Sequence, residues 1–366
     1  MSSPVSERVL LTGANGYLAQ HILSQFLAAG HSVRGIVRHT SKASQLQASP
    51  VFSSYPSSKL DFAVVSGTTI PGAFDQVLMS EPSFDWVIHT ASPFNYRKAD
   101  SNSSNEENFL NPAIKGTTEI LSGIRRVAPA VRRVVLTSSM AAVLSWEKDF
   151  QAVTHPARIS TGQDWNPISR EEALTSSVPN RAYQASKTFA ERVAWEFVEK
   201  EKPGFELVTM NPPAIFGPLA DAGQLASPQE LNQSTWHIYS QLLSPEHDST
   251  HPVPPNFLHL YIDVRDVAKA HLLGAAVPEA GGKRFVLCVG EMSMQRVADL
   301  LREALPVKRD VVPKGGPENW RMEEGTFMAS STDAENILGL HFTSAESTIG
   351  DMGKQMVELE KRATQQ

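Results

Sequence analysis

A doubly wound α/β fold, with a parallel sheet covered by helices on both faces, is what this 366-residue sequence predicts. Two observations predict it. Short apolar runs alternate with stretches of helical periodicity, the pattern of strands joined by crossover helices. The first of these runs also ends in a glycine turn that leads directly into a helix.

The elements follow in order. "RVLLTG" (8–13) is the first strand, and "HILSQFLAAG" (21–30) has helical spacing and a glycine stop. "HSVRGIVR" (31–38), "LDFAVVSG" (60–67), "DWVIHTAS" (85–92), "VRRVVLTSS" (131–139) and "FELVTMNP" (205–212) read as the next strands, most of them separated by helical stretches. From 213 to 260 the texture changes to Pro, Ser, Gln and His with scattered aromatics, which predicts excursions away from the sheet. "RFVLCVG" (284–290) reads as a late strand, and the tail as a terminal helix. This gives a sheet domain over 1–212 with returning sheet elements at about 256–290, and a second unit from 213–255 and 291–366.

Composition narrows the function. At 41% hydrophobic the chain can bury a sizeable core, and a net charge of −6 argues against a general grip on nucleic acid. No apolar run is long enough to span a bilayer, and the N-terminus lacks the apolar core of a signal peptide. Cys288 is the single cysteine, so no internal disulfide forms and a reducing, cytoplasmic location is expected. No metal site is expected.

The turn "TGANGYLAQH" sets Gly13 and Gly16 between strand and helix. Glycines let the chain approach a phosphate closely, and the helix beyond offers free N–H groups and a positive dipole end. The spacing is that of a dinucleotide fingerprint with Ala19 in the third glycine's place. The second strand ends in Arg38, with Lys42 soon after, where many such folds carry a carboxylate for the adenosine ribose. A cation there suits a 2′-phosphate and hence NADPH; two solvated surface cations are the alternative.

Ser138 and Ser139 close the fifth strand, at the sheet edge where ligands sit. In "RAYQASKTFAE" Tyr183 and Lys187 are four residues apart, one helical turn, on one face. An ammonium near a phenol favours the phenolate and would lower its pKa, fitting the phenol to pass a proton near neutrality. A packed tyrosine and a solvated lysine are the plain alternative.

Taken together, "LTGANGYLAQHI", "VIHTASPF", "NPAIKGTTEIL", "RRVVLTSSMAAV", "AYQASKTFAERVAWEFV", "NPPAIFGP" and "YIDVRDVAKAH" resemble the extended short-chain dehydrogenase/reductases, in particular the dihydroflavonol 4-reductase branch and the fungal methylglyoxal and aldehyde reductases. The resemblance runs from about residue 8 to 275. It implies a Rossmann domain, a smaller C-terminal substrate lobe and NADPH-dependent reduction of a small ketone or aldehyde. It also implies Ser139 as the serine that orients the carbonyl, Tyr183 as proton donor, and Lys187 as its electrostatic partner and a contact of the nicotinamide ribose. Further cofactor contacts fall at Gly13, Asn15, Gly16, Tyr17, Leu18, Arg38, Lys42, Thr90, Ala91, Ser92 and Pro212, and the substrate pocket at Phe94, Met140 and Ala214.

The sequence departs from that family at three places. Gly67 stands where an acidic residue usually approaches the adenine, Ala113 replaces an asparagine kept in related branches, and the 146–180 stretch is longer than in the plant reductases. Such an enlarged loop is expected over or beside the site. Phe94, Met140, Trp165, Trp236 and Tyr239 are candidates for a bulky, partly aromatic carbonyl, as in a secondary-metabolite ketoreductase; plain packing is the alternative for each. Two other readings stand beside the reductase: an NAD-linked epimerase or hydroxysteroid-type dehydrogenase, which Arg38 disfavours, and a non-enzymatic dinucleotide sensor, which the intact Tyr183–Lys187 pair disfavours. The sequence names neither the substrate nor an oligomeric state.

Overall fold

The computed structural model describes residues 6–92, 103–145, 154–256, 259–316 and 321–365. Its strands are β1 (Arg8–Thr12), β2 (Ser32–Val37), β3 (Leu60–Val64), β4 (Trp86–His89), β5 (Arg133–Thr137), β6 (Ile159–Ser160), β7 (Glu206–Asn211), β8 (Ala214–Phe216), β9 (Leu260–Asp263), β10 (Arg284–Val286), β11 (Gly290–Glu291) and β12 (Met328–Ala329). Seven form one sheet in the order β10-β7-β5-β4-β1-β2-β3, and every pairing in it is parallel. Each apolar run read as a strand from the sequence contributes to this sheet.

Both faces are covered because the central strands are apolar throughout. All five residues of β1 are buried, and they alternate between two cores. Val9 and Leu11 pack with Ile22, Leu23 and Phe26 of helix α1 (Tyr17–Ala28); Leu10 packs on the other side with Ile120, Leu121 and Ile124 of a later helix. After α1 and α2 (Thr40–Ala48), the long helices are α3 (Asn111–Val127), α4 (Pro179–Glu201), α5 (Val264–Ala276), α6 (Met294–Ala304) and α7 (Ala345–Thr364). The first helix starts at Tyr17, four residues before the stretch whose periodicity stands out, because Gly16 provides the extended cap residue that lets it begin there.

A second core lies away from the sheet. Phe216, Leu242, Tyr261, Met294, Leu301, Met352 and Met356 pack together, drawing on β8, β9, α6 and α7. Here the structure differs from the strand-by-strand reading. Leu260–Asp263 lies within the stretch expected to return to the main sheet, yet β9 pairs in parallel with β8 and antiparallel with β11 in a separate three-stranded sheet. Only β10 returns to the large sheet. β8 follows β7 after two residues, Pro212 and Pro213, and a proline cannot continue a ladder as donor. The chain bends there and starts the second sheet.

Strand order reverses at β1, which lies between β2 and β4. In an open parallel sheet the crevice beyond the carboxyl ends of two such strands is where ligands bind.

Candidate active site

Thr12 closes β1 and ties this crevice together. Its hydroxyl lies 2.9 Å from His89 Nδ1 and accepts the Thr90 and Ala91 N–H groups at 3.1 Å each, while Thr90 Oγ1 donates to the Thr12 carbonyl at 2.6 Å. Burial holds His89 down at about 3, so its imidazole is neutral and serves the frame as a hydrogen-bonding group. Gly13 follows with φ +70°, a conformation that favours glycine, and a Cβ there would come within 3.2 Å of Ala91 Cα and Thr90 Oγ1. The Gly16 N–H bonds back to the Gly13 carbonyl at 2.9 Å, and α1 begins at the next residue.

A cleft of about 340 Å³ runs across this point. It is lined by Gly13, Asn15, Gly16, Tyr17 and Leu18 of the turn, by Arg38, by Thr90, Ala91 and Ser92 after β4, and by Ser139, Tyr183, Lys187 and Pro212. Residues from six separate stretches of sequence therefore meet on one surface. Arg38 is exposed at the end of β2 and has no ion-pair partner among the described residues. Lys42 is exposed in the first turn of α2, donates to Gln45 Oε1 at 3.0 Å, and is not on the cleft wall. The cleft is also walled by Ile36, Val65, Thr68 and Phe74, which no sequence motif singles out. Gly67 is not among them.

Ser139 is placed by the end of β5. Its side chain caps the short turn Met140–Ala142 by accepting the Ala141 N–H at 3.1 Å, and its carbonyl accepts from Asn211 Nδ2 at 3.1 Å. Tyr183 comes from the second turn of α4 and shares the cleft wall with Ser139, near enough for the serine hydroxyl to favour the phenolate. Lys187 follows one turn on, with Nζ 3.5 Å from the Thr137 carbonyl.

The electrostatics run against the expectation for the pair in isolation. Burial pushes the Tyr183 phenol above its ordinary value, and the Ser139 hydroxyl offsets only part of that. Lys187 is itself held down at about 8 by burial, with Glu191 pulling the other way. An argument from helical spacing counts the charge of the lysine and omits the desolvation of both groups, which is the larger effect here.

The three substrate-pocket candidates lie apart from the cleft or outside the described residues. Met140 is fully buried behind Ser139, packed with Val143, Leu144, Val286 and Phe327. Ala214 faces the second core, while its neighbours Pro213 and Ile215 face the cleft, as the two-residue alternation of a strand requires. Phe94 lies outside the described residues. Of the other aromatics, Trp236 and Tyr239 pack 5.8 Å apart in the second core. Trp165 sits under Arg284, whose guanidinium carbon is 3.7 Å from the ring centroid.

The described part of the long stretch, from residue 154 on, braces α4 from beneath. Asn166 is buried there and donates to the Ala141 and Leu144 carbonyls at 2.8 and 2.9 Å and to Gln184 Oε1 at 3.0 Å. Sequence reasoning also missed Glu191. It continues the Tyr183–Lys187 spacing by a further four residues, a signal that "YQASKTFAE" contains.

The profile of the NAD dependent epimerase/dehydratase family matches residues 9–290. The ketoreductase azaE of Aspergillus niger is 35% identical over 355 residues, 97% of this chain and 98% of that protein. The NADPH-dependent methylglyoxal reductase GRE2 of Saccharomyces cerevisiae is 35% identical over 361 residues, 97% of this chain and 99% of the other. The crystal structure of yeast methylglyoxal/isovaleraldehyde reductase Gre2 complexed with NADPH superposes with a TM-score of 0.86 at 33% identity, covering 97% of this chain and 99% of that one.

Proposed function

This chain belongs to the NAD dependent epimerase/dehydratase family, and we propose that it is an NADPH-dependent reductase of small-molecule ketones or aldehydes. The observation that carries the reading is the meeting of Ser139, Tyr183 and Lys187 with the glycine turn and Arg38 on one cleft. The names and cofactor of the similar reductases support it.

The cleft fits a dinucleotide. Gly13 leaves open the space that a Cβ would fill, the start of α1 supplies N–H groups and a positive dipole end for a pyrophosphate, and Arg38 is free to meet a 2′-phosphate. NADPH, when bound, supplies the hydride. Ser139 orients the carbonyl oxygen by a hydrogen bond. Tyr183 gives its hydroxyl proton to that oxygen as negative charge grows on it, and a phenol kept protonated by burial is suited to be the donor. Lys187, one turn away and on the same wall, offers the positive charge that stabilises the phenolate left behind.

In this reading residues 1–212, with β10 returning to the large sheet, form the cofactor domain, and 213–255 and 291–366 form the substrate lobe, with the three-stranded sheet of β8, β9 and β11 at its base. A place in the dihydroflavonol 4-reductase branch and a cytoplasmic location complete the proposal; the lone Cys288, buried with its thiol pushed up to about 12, is suited to a reducing compartment. The test is oxidation of NADPH, with NADH in parallel, across aldehydes, diketones and aryl ketones. Turnover with none of them, or an equal response to NADH, would sink the reading.

A further inference from the structure

Tyr183, Lys187 and Glu191 stand at successive four-residue steps on α4 and so share one face. The Glu191 side chain is 0% exposed. A carboxyl group buried alone would take up a proton to shed its charge. Here Arg284 Nε donates to it at 2.7 Å, Ser138 Oγ at 2.5 Å, Asn211 Nδ2 at 2.8 Å and Thr209 Oγ1 at 2.8 Å. Burial works to raise its pKa, but Arg284 and these hydrogen bonds outweigh burial and leave it below the ordinary value. Glu191 is therefore an anion held in the interior.

Two of its donors lead back to the site. Ser138 is the neighbour of Ser139, and the Asn211 amide that bonds Glu191 also donates to the Ser139 carbonyl at 3.1 Å. Lys187 and Glu191 line one small pocket of about 10 Å³ and both are buried, so bulk solvent screens one from the other only weakly. Among the described residues, the other titratable groups facing Lys187 supply no negative charge: Tyr183 on the same helix is protonated, His89 from β4 is neutral, and Arg284 from β10, beyond Glu191, is a cation.

We propose that Glu191 is a positioning residue for the reduction: its fixed charge keeps Lys187 protonated at working pH, and its hydrogen bonds fix the Ser138–Ser139 end of β5. It acts through these groups and touches neither substrate nor cofactor. With burial holding Lys187 down at about 8, loss of this one favourable charge would bring its titration into the neutral range.

The proposal rests on the reductase reading, and the test reads Lys187 directly so that the two can fail separately. Full-length protein carrying ¹³Cε-lysine is titrated by NMR, with the Lys187 signal assigned by its loss in Lys187→Met. Glu191→Gln keeps the side-chain shape and removes the charge. The Lys187 titration is expected to fall by about one pH unit or more, and the alkaline limb of kcat/KM to move to lower pH with it. Glu191→Asp, which keeps the charge, is expected to restore most of the parent titration. If Glu191→Gln does not fold, because Arg284 is left unpaired, the pair Glu191→Gln with Arg284→Met removes both buried charges, and a smaller shift in the same direction is expected there, because Arg284 is the more distant of the two from Lys187. A Lys187 titration unmoved in the folded variant overturns the proposal, whatever its turnover. A parent enzyme that oxidises NADPH with no carbonyl overturns the reductase reading and leaves the lysine measurement standing.

Discussion

On its β1–β4 side the cleft is walled mainly by backbone, and on its β8 side by side chains. Gly13, Thr90 and Ala91 present main chain at the ends of neighbouring parallel strands, cross-tied by the Thr12 hydroxyl. Pro213 and Ile215 lie just before and within β8, a strand that has left the large sheet, and the core behind that strand is assembled from α6, α7 and β9, far apart in sequence. The first wall follows from short-range geometry that few sequences can supply. The second needs only apolar side chains of suitable volume, and many sequences supply those. A cofactor side that is fixed and a substrate side that is free to vary is the expected consequence.

The sharpest break would come at the point where the two walls meet. Tyr183→Phe keeps the ring and removes the proton, and turnover is expected to fall by about 10² or more while NADPH affinity, measured by fluorescence titration, stays within about twofold. Near-normal turnover would remove Tyr183 from the mechanism.

Acid should weaken the strand-end frame next. His89 is held down at about 3 and His271, 2.7 Å from Thr137 Oγ1, at about 4, both by burial. Their folded values lie below the unfolded value of about 6.5. Between those limits the unfolded chain binds protons that the folded one refuses. Their contribution is therefore complete above about pH 6.5 and is lost as pH falls, at up to about 1.4 kcal/mol per pH unit for each group. Urea unfolding at pH 7, 6 and 5 should show that slope, and His271→Gln should flatten it; an unchanged slope would mean that His271 is not buried neutral.

Arg38→Ala tests the cofactor wall by itself. A hydrogen bond to a charged group is worth about 1.5–3 kcal/mol, so the NADPH constant is expected to rise about tenfold or more with NADH little changed. Equal weakening of both would make Arg38 structural and move the preference elsewhere.

The smallest effect is expected at Ile215→Ala, on the substrate wall. Trimming an apolar pocket changes discrimination by about 1–3 kcal/mol, so the ranking of small and bulky carbonyls should shift several-fold while the NADPH constant holds. Met140→Ala is the contrasting control: its side chain is fully buried behind Ser139, so urea unfolding should show about 2–5 kcal/mol of lost stability with the substrate ranking kept. If Met140→Ala reorders the substrates and Ile215→Ala does not, the substrate lies on the Met140 side of Ser139 and not against Ile215.

The sequence by itself determined the parallel sheet, the glycine turn at its first strand, the cation after its second, and the placing of Tyr183 and Lys187 on one helix face. Each of these is local: a run of apolar residues, a positive φ that glycine accommodates, a four-residue step. Only the tertiary structure decided that β9 joins β8 and not the large sheet, that Ala214 and Met140 turn away from the cleft while Ile215 turns toward it, and that Glu191 is caged by Arg284 from the far edge strand. It also decided the direction of the Tyr183 shift, because desolvation depends on everything packed around a group and a sequence pattern shows only its neighbours along the chain.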